Sequence, residues 1–378
     1  MHICFVVEGY PTPKNPTMTF VRELVVRLSE KGLKCSVIAP QSIVKALKPN
    51  VPLKPRRWVD KINENIGVDV YQPYYLTFSG YTKKLNKKSM EAAIKRTYKK
   101  IKVPVDALYG HFWHMGVLAS KIKTDIPVFV ACGESKISVI DSYSKEEIES
   151  LIERMRGVIY VGTKSYNESL QLGLQRDSFP FIVAPNGYDP NKFKVLDKLQ
   201  CRRELGWNED DFIISFVGNF DSRKGFDRMN EALKSLDKEG EKVYSCFIGR
   251  GTKTPDCPNV LHCGTVSHSD IVKYLNATDA FVLPTNNEGC CNAIVEAIGC
   301  GLPVISSNQE FNDDILDTTC SIRLDPMDIN AIADAIKKMK NDNILRESLS
   351  DGAKKKACEL LLDTRAQRIY DFIIANVK

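Results

Sequence analysis

The chain has 378 residues, of which 43% are hydrophobic and 26% charged. That is an ordinary soluble composition with room for two to three full cores. No apolar run approaches the ~18 residues that a membrane span needs, and the start, Met1-His2-Ile3-Cys4-Phe5-Val6-Val7, lacks the basic lead and small-residue cleavage site of a signal peptide. The net charge of +6 divides unevenly: residues 1–190 hold 28 Lys/Arg against 18 Asp/Glu, and the remainder 25 against 29. Halves of opposite sign suggest two domains with different partners.

Taken in chain order, Ile3–Glu8 reads as a buried strand. Phe20–Lys31 has helical spacing (Phe20, Leu24, Leu28) and stops at Gly32, and Cys35–Ala39 is the next strand. The rhythm recurs at Ala107–Tyr109, Val128–Ala131, Gly157–Val161 and Phe181–Ala184. It breaks near Pro185–Leu199, where Pro185-Asn186-Gly187 is turn chemistry. It restarts at Phe212–Val217, Tyr244–Ile248, Val260–His262, Ala280–Leu283 and Val304–Ser306, with helices over Ala353–Leu362 and Arg365–Val377 at the end. Alternation of this kind predicts an α/β protein of two doubly wound, Rossmann-like domains. The expected division is 1–190 and 191–362, with the helix of about 363–378 returning to pack on the first domain. Ligands in such sheets bind at the carboxyl ends of the strands, so a site in a cleft between two facing sheets is expected.

The twelve cysteines form no C-x-x-C pair, and Cys4, Cys35 and Cys246 sit in apolar runs. Used as small hydrophobes, they indicate a reducing cytosol. With five histidines and no Cys/His cluster, no metal site is expected. No G-x-G-x-x-G follows the first strand and no Walker pattern occurs, which argues against a dinucleotide-linked dehydrogenase and an ATPase.

Two segments of the second half carry chemistry. In Glu288-Gly289-Cys290-Cys291-Asn292 a turn presents Glu288 before a helix from about Cys291 to Ile298. Gly289 permits close backbone approach, and the N–H groups of Cys290, Cys291 and Asn292 make an anion site. Glu296 lies a little over two turns on. Two carboxylates flanking a phosphate site suit a ligand with hydroxyls at both ends, such as a nucleotide sugar. In Phe216-Val217-Gly218-Asn219-Phe220-Asp221-Ser222-Arg223-Lys224-Gly225, two adjacent cations stand in a glycine-bounded loop at a strand's carboxyl end, where they can neutralise a diphosphate. Lys224 and Glu288 are polar and loop-borne, so replacing either is expected to cost little stability.

Together these segments resemble the retaining, GT-B-fold glycosyltransferases of family 4 (glycosyltransferase group 1). The Glu288-x7-Glu296 pair, the Gly299-x-Gly301-Leu302-Pro303-Val304 tail, the Gly218…Lys224-Gly225 loop and Pro185-Asn186-Gly187-Tyr188-Asp189 occur in the family's order. The resemblance implies a metal-independent retaining transferase, with the nucleotide sugar as substrate and no cofactor. It also implies that Lys224, helped by Arg223, holds the donor phosphates, that Glu288 meets the transferred sugar, that Glu296 meets the ribose, and that the loop after Gly264, with Val266, meets the base. Asn219 stands where relatives often carry Arg.

In the first half, Asp106–Trp113 resembles the family's strand-end segment, which implies that His111 contacts the reacting sugar. Val128–Glu134 resembles a segment that often reads His-Gly; here Cys132 replaces the histidine, and Gly133 and Glu134 after it are expected, with Thr17 and Thr19, in the acceptor or cleft loop. Thr17 or Thr19 would cap the following helix or place a hydroxyl near the donor. Tyr81–Lys102 holds nine Lys/Arg and one acid. Helical spacing puts Met90, Ile94, Tyr98 and Ile101 on one arc and a basic set including Lys84, Lys88, Lys95 and Lys99 on another. Such a face is either solvated or docks on an anionic leaflet. No nucleic-acid motif occurs. The expected activity is sugar transfer to a glycan or lipid-linked acceptor in cell-surface polysaccharide or glycolipid synthesis, in the cytoplasm or at the membrane's inner face. A GT-B-like nucleotide-binding module without turnover is the alternative.

Overall fold

The computed structural model describes residues 1–12, 15, 17–46, 53–77, 83–123, 125–176 and 178–377, without the side chains of Lys45, Ala46, Lys83 and Lys84. The chain forms two compact units. One comprises Met1–Val161, Ser165–Ala184 and Ala366–Lys378; the other comprises Gly162–Lys164 and Pro185–Arg365.

The first unit is built on an eight-stranded sheet. Its order is Phe181–Val183, Met155–Tyr160, Val128–Cys132, Ala107–His111, His2–Val6, Lys34–Ile38, Gly67–Tyr71 and Arg57–Lys61. All neighbours are parallel except the last pair. The central strands are continuously apolar because both faces are covered. Cys4, Val6, Leu108, Val128 and Val130 pack with Ile94, Leu118 and Leu151 on one side. Ile3, Phe5, Tyr109 and Phe129 pack on the other with Val21, Leu24 and Leu28 of the helix Thr19–Glu30 and with Ala366, Ile369, Phe372 and Ile373 of the helix Leu362–Asn376.

The second unit carries a six-stranded, wholly parallel sheet in the order Val260–Gly264, Tyr244–Gly251, Ile213–Phe220, Ala280–Leu283, Val304–Ser307 and Ser321–Leu324. In each sheet one strand is flanked by neighbours reached by crossovers in opposite directions. This switch falls between His2–Val6 and Ala107–His111 in the first unit, and between Ile213–Phe220 and Ala280–Leu283 in the second. Crossovers diverge there and leave an opening at the carboxyl ends.

Several local expectations are corrected. Neither Thr17 nor Thr19 caps the first helix: Met18 is the N-cap, with φ 62° and no side-chain cap bond, while Thr17 Oγ1 accepts from Lys54 Nζ at 3.3 Å. The basic helix spans Lys83–Tyr98, and Ile94 is buried with Met90, Tyr98 and Ile101 against the same core, as the spacing predicts. Its outer face differs from the expected set. Lys88, Arg96 and Lys99 are exposed, but Lys95 turns back to Glu91, Nζ to Oε1 2.6 Å. The side chain of Lys84 lies outside the described residues.

Candidate functional site

The second unit's switch point gathers the residues expected to bind donor. Near the end of strand Ile213–Phe220, Gly218 is half-buried and Asn219 exposed, ahead of the buried Phe220. The turn that follows is held by Asp221, whose Oδ1 accepts from the Lys224 backbone N–H at 2.9 Å. Gly225 then starts the helix Phe226–Lys238 with φ 80°. A side chain there would be strained, and its Cβ would lie 2.2 Å from the Pro284 carbonyl oxygen. The glycine lets the loop press against the end of the neighbouring strand. Asn286 N–H donates to the Arg223 carbonyl at 2.9 Å, and Arg228 Nη2 donates to Pro284 O at 2.8 Å.

This contact brings both cations onto one carboxylate oxygen. Glu288 Oε1 lies 2.7 Å from Lys224 Nζ and 2.7 Å from Arg223 Nη1, and it accepts from Thr285 Oγ1 at 3.0 Å. The Lys224 and Glu288 side chains are 14% and 11% exposed, so this is a nearly buried pair and not a solvated one. Burial works to lower the Lys224 pKa, but Cys291 and Glu288 outweigh it, and the ammonium is held above its ordinary value. The group is a fixed cation. It can trade its carboxylate partner for a phosphate, while Glu288 then accepts hydroxyl hydrogens.

The helix after Glu288 spans Asn292–Gly299, with Cys291 as an N-cap that makes no side-chain cap bond. Cys291 is buried, 3.7 Å from Lys224 Nζ. The Cys290 thiol, raised to about 12 by burial, accepts from Asn186 N–H at 3.4 Å. Neither thiol is a nucleophile in that setting. Asn186 Nδ2 donates to Asn292 Oδ1 at 2.8 Å, tying the Pro-Asn-Gly turn to the helix start. Gly289 is buried between them. Glu296 is further along, its Oε1 3.7 Å from His268 Nε2. Val266 is half-buried in the loop after the edge strand Val260–Gly264.

Two supporting residues carry no sequence signal. Lys164 Nζ donates to Asn287 Oδ1 at 2.7 Å and to the Glu288 carbonyl at 3.2 Å, across more than 120 positions of chain. Thr285 reads in sequence as an ordinary turn residue; its nearness to Glu288 in the chain is the one hint. Among the described residues no group of three or more His, Cys, Asp or Glu is placed to hold a metal ion.

In the first unit, His111 ends its strand but is only 4% exposed. Its ring packs against Phe112 at 4.7 Å and Phe20 at 5.4 Å between centroids. His114 is the more open imidazole at that switch, Nε2 3.4 Å from Glu8 Oε1. Cys132 is fully buried, its thiol well above the ordinary range through burial and the charge of Glu134, so it lines no site. Glu134 seats the start of the helix Trp113–Ser120: it accepts from the Trp113 N–H at 2.6 Å and the Gly133 N–H at 3.0 Å. Burial nevertheless pushes its carboxyl up to about 7, with these bonds opposing.

Two measurements follow. The buried pair makes Lys224→Ala costlier than the sequence suggests: removing one partner costs about 3–5 kcal/mol when the other is stranded, and Arg223 holds the loss to about 2–3 kcal/mol in urea unfolding. Lys224→Met with Glu288→Gln, which removes both charges, is expected to recover part of that loss. The second concerns Glu134. A carboxyl whose pKa is raised on folding binds more protons in the native than in the unfolded state between about 4.5 and 7. Its contribution is therefore full at low pH and is lost as pH rises through that window. Relative to Glu134→Gln, wild-type stability should fall between pH 5 and 7.5; parallel curves would show that the carboxyl does not titrate there.

Residues 197–356 match the family model described as "Glycosyl transferases group 1". The chain is 25% identical over 367 residues, 93% of its length and 92% of the relative's, to TuaC of Bacillus subtilis (strain 168), a glycosyltransferase named for teichuronic acid biosynthesis. Its fold is that of a sucrose-phosphate synthase from Thermosynechococcus elongatus, with a TM-score of 0.76, 16% identity and 99% of each chain covered. It is also that of Anabaena HepE in complex with UDP-glucose, with a TM-score of 0.71, 16% identity and 99% and 100% covered. The two Rossmann-like units are thus a GT-B architecture, the second of them is built on a glycosyl transferases group 1 domain, and the protein is a glycosyltransferase.

Proposed function

We propose that the protein is a retaining, metal-independent glycosyltransferase. It moves a sugar from a nucleotide-sugar donor to a glycan or lipid-linked acceptor in the assembly of a cell-surface polysaccharide or glycolipid. The observation that carries this reading is the convergence of Lys224, Arg223 and Glu288 on one oxygen at the switch point. A donor diphosphate takes the two cations, and Glu288 is released to the hydroxyls of the transferred sugar. As the bond from the anomeric carbon to the phosphate oxygen breaks, charge grows on the leaving diphosphate, where fixed cations and the Asn292 helix start lower the barrier. The acceptor hydroxyl attacks from the face the leaving group vacates and gives its proton to the departing phosphate oxygen. His111 serves the reacting sugar, Glu296 the ribose and the Val266 loop the base. The names of TuaC and HepE's UDP-glucose complex support the polysaccharide setting and the donor class.

Glu288→Gln and Lys224→Met are expected to lower transfer at least 100-fold, equivalent to about 2.7 kcal/mol of transition-state stabilisation. Transfer by the wild type should survive EDTA. Near-normal turnover in either variant would remove the site assignment, and loss in EDTA restored by magnesium or manganese would remove the metal-free mechanism.

The basic helix supports peripheral contact with an anionic leaflet. No helix among the described residues is long and apolar enough to cross a membrane, but Lys88, Arg96 and Lys99 share an exposed face with Leu85, 52% exposed. Each basic residue contributes about 1 kcal/mol at such a surface, screened within a Debye length of about 8 Å. Replacing Lys88, Arg96 and Lys99 with Gln should release the protein from vesicles containing acidic lipid and leave transfer to a soluble acceptor intact. Equal binding by wild type and variant would make the helix a solvated face.

A further inference from the structure

We infer that Arg250 supplies a third cation to the donor-diphosphate site, across the strand ends from Lys224 and Arg223; the assignment rests on the donor-binding reading above. The strands Ile213–Phe220 and Tyr244–Gly251 run in register to their last residues, pairing Gly218 with Gly249, Asn219 with Arg250, and Phe220 with Gly251. Paired residues of parallel neighbours project to the same face, and successive residues alternate. Phe216 and Phe220 lie in the aromatic cluster with Phe226 and Phe247, which fixes the face of the even-numbered positions of the first strand. Lys224 crosses that face: its Cδ is 3.4 Å from where a Gly218 Cβ would stand. Asn219 and Arg250 therefore project from the other face. Lys224 and Arg250 bracket the same carboxyl edge.

Between them the edge is bare backbone. A Cβ on Gly249 would meet Gly218 O at 1.8 Å, and one on Gly251 would meet Phe220 O at 2.5 Å, so glycine is required at both places. What remains exposed there is one neutral amide, Asn219, and one guanidinium, Arg250. The surrounding cations are engaged. Arg223 and Lys224 hold Glu288, Arg228 holds the Ser222 and Pro284 carbonyls, and Lys253 holds Asp227 at 2.7 Å. The Arg250 guanidinium has no hydrogen bond or ion pair with any described residue. A planar fork of five donors with none committed, set beside uncovered backbone, fits a phosphate bidentately.

The test compares UDP, GDP and ADP with their nucleosides by calorimetry on the full chain. For the diphosphate the wild type binds best, Arg250→Gln is expected to weaken binding roughly 10–100-fold and to leave nucleoside binding unchanged. Arg250 is exposed, so the variant should keep the wild-type melting temperature. Adding Asn219→Arg to Arg250→Gln returns a guanidinium to the same face one strand over and should recover most of the loss. If the wild type binds a diphosphate and Arg250→Gln binds it equally well, the assignment falls and the donor site stands. Equal weakening of diphosphate and nucleoside, or no recovery with Asn219→Arg, also overturns it. If none of the diphosphates binds the wild type, the donor-binding reading itself fails and takes the assignment with it.

Discussion

The second unit is organised around one constraint: a lysine and a glutamate, both nearly out of water, must meet at the end of a parallel sheet. Charges in such a place are stable only when paired and hydrogen-bonded, and the surrounding structure supplies those partners. Asp221 fixes the backbone at Lys224, Thr285 and Arg223 complete the coordination of Glu288, and Lys164 holds the carbonyl behind it. Gly225 permits the close approach of two loops that no side chain could share. The result is a charge pair whose two members are each fixed by neighbouring donors and backbone.

The architecture was legible because its physics is periodic. Continuous apolar runs such as Cys4–Val7 and Phe281–Leu283 arise only where a strand is covered on both faces, and the spacing of Met90, Ile94, Tyr98 and Ile101 marked the buried side of a helix. The hairpin Arg57–Lys61 and Gly67–Tyr71 was not legible. Its edge strand carries three charges in five residues and is held by Asp60, whose Oδ2 takes Arg22 at 2.7 Å and Tyr10 at 2.9 Å. Those partners are tens of residues away. The edge strand Ser321–Leu324, four residues with an arginine among them, fell below the same threshold.

The site was legible in its motifs and illegible in its supports. Glu288, Lys224 and Gly225 announce themselves by spacing. Lys164 does not, since nothing in the local sequence links it to position 288. Local geometry also changed two readings. Thr17 and Thr19 have the chemistry of caps, but the chain enters the helix through a left-handed Met18. Lys95 looks like part of a basic face, but it lies four residues from Glu91 on the same helix, and Lys121 also reaches that carboxylate, 3.5 Å from Oε2. Proximity in space decided both.

The helix Leu362–Asn376 follows the second unit in sequence, but its Ala366, Ile369, Phe372 and Ile373 complete a core that begins at Ile3. Phe372 fills the space left by Gly157, where a Cβ would stand 2.4 Å from its ring. During synthesis the second unit can therefore close around its own strands while the first waits with an apolar sheet face uncovered. That face is finished only when the helix Leu362–Asn376 has left the ribosome. Such an order lengthens the exposure of Phe5, Tyr109 and Phe129 to other nascent surfaces. It also makes the helix Leu362–Asn376, which carries none of the donor-site residues, a determinant of how much protein reaches the native state.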